Sequence, residues 1–213
     1  MAQFSAQSGE VIAISQHEAA MMHPSLGLVL QHWEGLCQGN QPPARDALDP
    51  RDLTGLLSNI FILERSRPAT VRLRLGGTHL TDLMGMEVRG LPIRAFFELS
   101  ERTRLMSEVE QVFTRPAKLM LHLTSDKQGQ AVLDGQMLLL PMLGANGQIE
   151  RALGVIATTG PLGLRPRRFR IKRAKLTPLE SGIAANGQTA EAPPKFAKGK
   201  PALTLIQGGL AEA

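Results

Sequence analysis

The sequence predicts an α+β fold: a five-stranded antiparallel sheet with helices crossing one face, plus an N-terminal helix. Three observations carry it. Two strand-like segments lie side by side between residues 59 and 76, three more follow between residues 118 and 157, and the stretch between these groups reads as helices and glycine loops. A further helical pattern precedes the first strand. With 213 residues and 43% hydrophobic content, the chain is long enough for one domain with a real core, and extensions at both ends.

The organising stretch is Val71 to Gly90. Val71, Leu73 and Leu75 alternate with Arg72 and Arg74, the period of a strand with one buried face. Gly76 and Gly77 end the strand. Thr78 is expected to cap a short helix whose inner face is Leu80, Leu83 and Met84, and Gly85 closes it. Gly90-Leu91-Pro92 then turns the chain toward Phe96 and Phe97.

Upstream, residues 1 to 22 carry little pattern and read as a flexible lead. Pro24 suits the first turn of a helix in which Leu26, Val29, Leu30, Trp33, Leu36 and Cys37 form one apolar stripe, ended by Gly39-Asn40. Such a helix needs a sheet or a copy of itself to cover the stripe. Asp49-Pro50 predicts a capped short helix through Leu53, Leu56 and Leu57, and Asn59 to Glu64 is the first strand. Downstream, Ser100 is the expected cap of a helix to Phe113, with Leu105, Met106, Val109, Val112 and Phe113 inward. Leu119, Leu121 and Leu123, then Ala131 to Leu140, then Ile149 to Ala157 supply the last three strands, joined by Ser/Asp/Gly and Gly/Asn turns.

Charge divides the chain. Residues 1 to 160 hold 14 Lys and Arg against 16 Asp and Glu, a balance of −2, whereas residues 161 to 213 hold 10 against 3, a balance of +7. A slightly acidic body has no general attraction for nucleic acid. Contact with nucleic acid or an anionic surface would have to come from Arg165 to Lys175, seven positive charges in eleven residues, at the start of a segment read as a basic, Ala/Pro/Lys-rich and largely disordered tail over 161 to 213. One cysteine excludes an internal disulfide, no Cys/His spacing suits zinc, and no apolar run approaches the roughly 18 residues of a membrane span. With no basic leader followed by an apolar run, a cytoplasmic location is expected. No phosphate loop or nucleophile elbow is present, so no enzymatic activity is expected.

Trp33, the Pro43-x-Arg45-x-x-x-Asp49-Pro50 run, Arg74-Leu75-x-Gly77-Thr78, Gly85, Gly90 and the strand end Leu139-Leu140-Pro141 together resemble PAS domains over residues 25 to 160. The resemblance is narrower still to short alphaproteobacterial proteins built of one PAS domain, some linked to motility and cell-cycle signalling. It implies a sensory or regulatory protein acting through protein contacts, with signalling partners such as two-component kinases and modulation by a ligand. PAS pockets hold haem, flavin, small acids or nothing. Haem and flavin are not expected here: residues 101 to 115 contain no histidine, and Met86-Glu87-Val88-Arg89-Gly90 stands where the flavin photosensors carry their reactive cysteine.

Two sites follow. An interior pocket for an apolar or amphipathic ligand is expected from Leu75, Leu80, Leu83, Met84, Met106, Val109, Phe113, Leu121 and Met137. An interface is expected on the first helix at Leu26, Val29, Leu30 and Trp33, the same stripe serving as lid of the sheet and as the contact of a homodimer. The histidines are read as surface or core residues before metal ligands.

Overall fold

The computed structural model describes residues 22–126 and 129–179. The flexible lead, apart from Met22, and the chain after residue 179 lie outside the described residues. Helix α1 (Pro24–Leu36) begins with proline at its first position, where the missing N–H costs nothing, and the His23 ring accepts from the Ser25 amide. Two 3-10 turns follow, Arg45–Ala47 and Pro50–Leu56, the second capped by Asp49, whose carboxylate accepts from the Arg51 amide at 2.9 Å. Strands β1 (Ile60–Arg67) and β2 (Thr70–Gly76) pair antiparallel.

Helix α2 (Thr78–Met84) then starts from Gly77, and no side chain caps it, so Thr78 does not take the expected capping role. A backbone carbonyl takes the place of a capping side chain: the His79 amide bonds the Ser58 carbonyl at 2.9 Å. The amide of Gly77 bonds the Ile60 carbonyl at 2.8 Å, and a Cβ on Gly77 would lie 2.2 Å from the Ser58 carbonyl oxygen. Gly85 ends the helix with φ +72°, in the left-handed region. The turns Ile93–Phe96 and Leu99–Glu101 lead into helix α3 (Arg102–Thr114), which likewise begins without the expected cap from Ser100. Strands β3 (Ala117–Ser125), β4 (Leu133–Leu143) and β5 (Ile149–Thr159) complete the expected set.

The sheet has six strands rather than five, in the order β2-β1-β5-β4-β3-β6, all neighbours antiparallel. The added edge strand β6 (Arg170–Pro178) pairs with β3 and comes from the segment read as tail. Phe169 and Ile171 are buried, and Ala174 and Leu176 pack against the same core. A register shift opposite His122 and Leu123 changes the parity between these two pairs, which breaks the alternation that marks a strand in sequence.

Both faces of the sheet are covered. On one face Phe61, Leu63, Leu73, Leu121, Met137, Leu139 and Ile156 meet α2, the turn Ile93–Phe96 and α3. On the other, Leu138, Leu140, Met142, Leu153 and Val155 lie under α1. Burial on both sides explains why the middle of β4 reads as a continuous apolar run. Its proline is tolerated because the ladder to β3 ends at Leu139, two residues before Pro141.

Candidate functional site

The expected interior lining separates into three groups. Leu80, Leu83 and Met84 of α2, Val109 and Phe113 of α3, Leu121 of β3 and Met137 of β4 are buried together in one cluster that also contains Phe61, Phe96, Phe97 and Phe169. Met106 packs at the edge of this cluster, partly buried. Leu75 is not there: it is 55% exposed on the opposite face. Leu63 pairs with Leu73 whereas its neighbour Ile62 pairs with Leu75, so β2 holds one extra residue, Arg74, and the bulge turns Leu75 outward beside Ile62.

The second expected site fares differently again. Leu26, Val29 and Trp33 are 0%, 0% and 1% exposed against the sheet, so the lid role consumes the surface that a partner would need. Leu30 is half-buried, at the margin of the stripe. Trp33 donates its indole N–H to the Pro141 carbonyl at 3.0 Å, and the Leu143 amide bonds the Pro43 carbonyl at 3.0 Å. The Trp, Pro-x-Arg and Leu-Leu-Pro residues are thus brought together at the end of β4.

Where α1 stops, the outer face is left open. A groove of about 510 Å³ runs between the 3-10 segment and strands β1 and β2, with Leu53, Ile62 and Leu153 in its floor and Leu57 and Leu75 on its rim. Arg45, Arg74 and Arg151 border it together with Asp46 and Asp49; Arg151 donates to the Glu64 carboxylate at 3.0 Å, a cross-strand pair between β5 and β1. Sequence reasoning missed this groove because its key residue, Leu75, had been assigned to the other face.

The basic run is largely spent on the body. Arg165 stands 3.6 Å from Asp82, Arg170 bonds Asp126 at 2.6 Å and Lys172 bonds Asp134 at 2.7 Å. The bond from Lys172, and after it one from Thr124, holds the Asp134 carboxyl below the usual carboxylate range. Arg167 is buried. The described part of the run is therefore a folded edge of the domain rather than the start of a disordered tail.

His79 is half-buried, its Nε2 3.1 Å from the Thr158 hydroxyl, and burial pushes its pKa down against a smaller opposing pull from Asp82. His122 lies half-buried on β3 with Met120 and Gln136 beside it in a second outer cleft. Burial first, and Glu34 second, push the Cys37 thiol up, away from reactive thiolate character. Among the described residues, no three His, Cys, Asp or Glu side chains gather as a metal site would require, and no helix is long and apolar enough to cross a membrane.

Residues 21–157 match the family model described as PAS domain. Similar solved structures include a light-oxygen-voltage (LOV) protein of Rhodobacter sphaeroides, 14% identical with TM-score 0.40, covering 55% of this chain and 71% of that one. A PAS domain of a Colwellia psychrerythraea protein is 14% identical with TM-score 0.38, covering 52% and 98%. A sensory box sensor histidine kinase of Vibrio cholerae is 12% identical with TM-score 0.35, covering 53% and 90%. No curated protein matches the sequence.

Proposed function

The chain belongs to the PAS domain family, a signalling sensor fold, and from that premise we propose that it is a non-enzymatic regulatory protein acting through contacts with other signalling proteins. The partners are of the two-component kinase class, the setting is the bacterial cytoplasm, and the biology is that of the short alphaproteobacterial PAS regulators of motility and the cell cycle. The observation that carries this reading is the open groove over β1 and β2. Leu57 and Leu75 stand 42% and 55% exposed beside an apolar floor, an arrangement suited to an apolar partner face. Ligand modulation enters through the core behind the sheet: α2 and α3 pack on the inner side of the strands whose outer side forms the groove, so a change in that packing shifts its rim.

Crosslinking of the full chain in cells, followed by identification of the captured proteins, tests the reading. Wild type should capture a signalling kinase whose phosphorylation it alters when the two are mixed, and the double variant Leu57→Glu, Leu75→Glu should lose both effects. Equal capture by the variant removes the groove as the contact. A wild-type chain without effect on any captured kinase removes the signalling assignment.

A further inference from the structure

At the opposite end of the sheet from the groove, a guanidinium is buried without a counter-charge. Arg167 is 1% exposed. Its Nη1 donates to the Gln130 side-chain oxygen, and its Nη2 donates to the carbonyls of Ser125 at 2.9 Å and Ala131 at 2.8 Å. All three acceptors are neutral, Nε has no partner, and among the described residues no carboxylate lies within ion-pair distance of it. Arginine does not shed its proton in a protein, so the full charge stays in place. A buried charge with neutral partners only is costly, and the cost falls sharply when an anion is brought to it.

The surroundings offer room for such an anion. Arg167 lines a cleft of about 510 Å³ together with Ser100, Gln130, Arg168 and Arg170. Two carboxylates share the lining, Glu98 and Asp126, against three guanidiniums. Asp126 is already engaged by Arg170 at 2.6 Å, which leaves Glu98 against Arg167 and Arg168. Ser100 belongs to the turn that opens α3, whose first amides are taken by that turn: Glu101 bonds the Glu98 carbonyl and Arg102 the Leu99 carbonyl, so the positive charge of the cleft comes from its arginines. The cleft is held firmly: the Arg167 amide bonds the Leu83 carbonyl at 2.8 Å, and Phe169 exchanges backbone bonds with Phe96 and Glu98 at 2.9 and 3.0 Å.

We propose that this cleft binds a small organic oxyanion, a phosphate monoester or a carboxylate, held by Arg167 from below and Arg168 from the rim. The exposed Arg168 can offer its planar fork to either oxyanion, while Arg167, whose Nη2 hydrogens are taken by the Ser125 and Ala131 carbonyls, supplies charge, and a volume of this size takes a metabolite rather than a bare ion. The site is separate from the apolar interior and from the outer groove, and binding here stands whether or not the chain signals through kinases.

The test uses the full chain with three probes: inorganic phosphate, adenosine monophosphate and succinate. Binding is followed by calorimetry and by amide chemical shifts. At least one probe is expected to bind saturably in the millimolar range or tighter, to shift the amides of Ser100 and Arg168, and to weaken as salt is raised. Comparing the probes separates phosphate from carboxylate recognition. Arg168→Gln, at an exposed position, should keep the melting temperature and lower affinity about tenfold, the loss expected for one charge-assisted bond of roughly 1.4 kcal/mol. Arg167→Lys, if folded, should lose more. Saturable shifts elsewhere in the domain, affinity unchanged in Arg168→Gln, or no binding of any probe at millimolar concentration each overturns the proposal and leaves Arg167 as a clasp between the β3–β4 hairpin and the chain before β6.

Discussion

The Trp33 indole N–H and the Pro141 carbonyl are 3.0 Å apart, a buried hydrogen bond across 108 residues that ties α1 to the end of β4. It satisfies the polar atom of the largest side chain in the outer core where the β3 ladder no longer reaches β4.

Trp33→Ala should therefore cost ~3–5 kcal/mol, from lost burial and a cavity over β4 and β5. Trp33→Phe keeps much of the volume but strands the carbonyl, and should cost about 1–3 kcal/mol. Urea unfolding of both variants measures the two parts. A Phe variant as stable as wild type would mean the bond adds nothing beyond packing.

Leu75→Glu should change stability by no more than about 0.5 kcal/mol, because the side chain already faces water beyond the β2 bulge. Leu73→Glu, two residues earlier, should prevent folding, since it places a charge in the main core. Circular dichroism melts of the pair check which leucine faces inward.

Ending the chain at residue 160 should unfold the domain. The cut takes away β6, the Arg167 clasp and Phe169, which is fully buried among Phe96 and its neighbours. Phe169→Ala alone should cost ~3–5 kcal/mol by urea unfolding. This also sets where a truncation must fall if binding by the C-terminal segment is to be assayed on a folded body.

Acidification should weaken the fold through His79. Burial lowers its pKa in the folded chain below the ordinary 6.5, so the unfolded chain takes up the proton first as pH falls. Its neutral form is fully compatible with folding above the unfolded value, and stability is lost as pH falls from there through the folded value. His79→Gln removes this titration while keeping a polar group near Thr158. Stability measured between about pH 7.5 and 5.5 should fall more steeply for wild type than for the variant; parallel slopes would mean the ring titrates as it does in the unfolded chain.

Sequence by itself determined the order of elements from α1 to β5, the apolar stripe of α1, the Asp49-Pro50 start, the turn at Gly85 and the membership of Leu80, Leu83, Val109, Leu121 and Met137 in one core. These follow from local rules: the 3.6 and 2.0 periods, the fixed φ of proline and the left-handed freedom of glycine. Tertiary structure decided the rest at two bulges. An extra residue, Arg74, sends Leu75 to the outer face and opens the groove, and the register shift opposite His122 hides β6 among charges that read as a tail. A bulge changes the parity of every side chain beyond it, and only the partner strand specifies where it falls. For the same reason the pairing of Arg165, Arg170 and Lys172 with Asp82, Asp126 and Asp134 was not legible. Partners 38 to 83 residues apart meet because β6 lies on β3 and the chain before it crosses α2, so what read as free charge became part of the fold, with Arg167 left buried beneath its cleft.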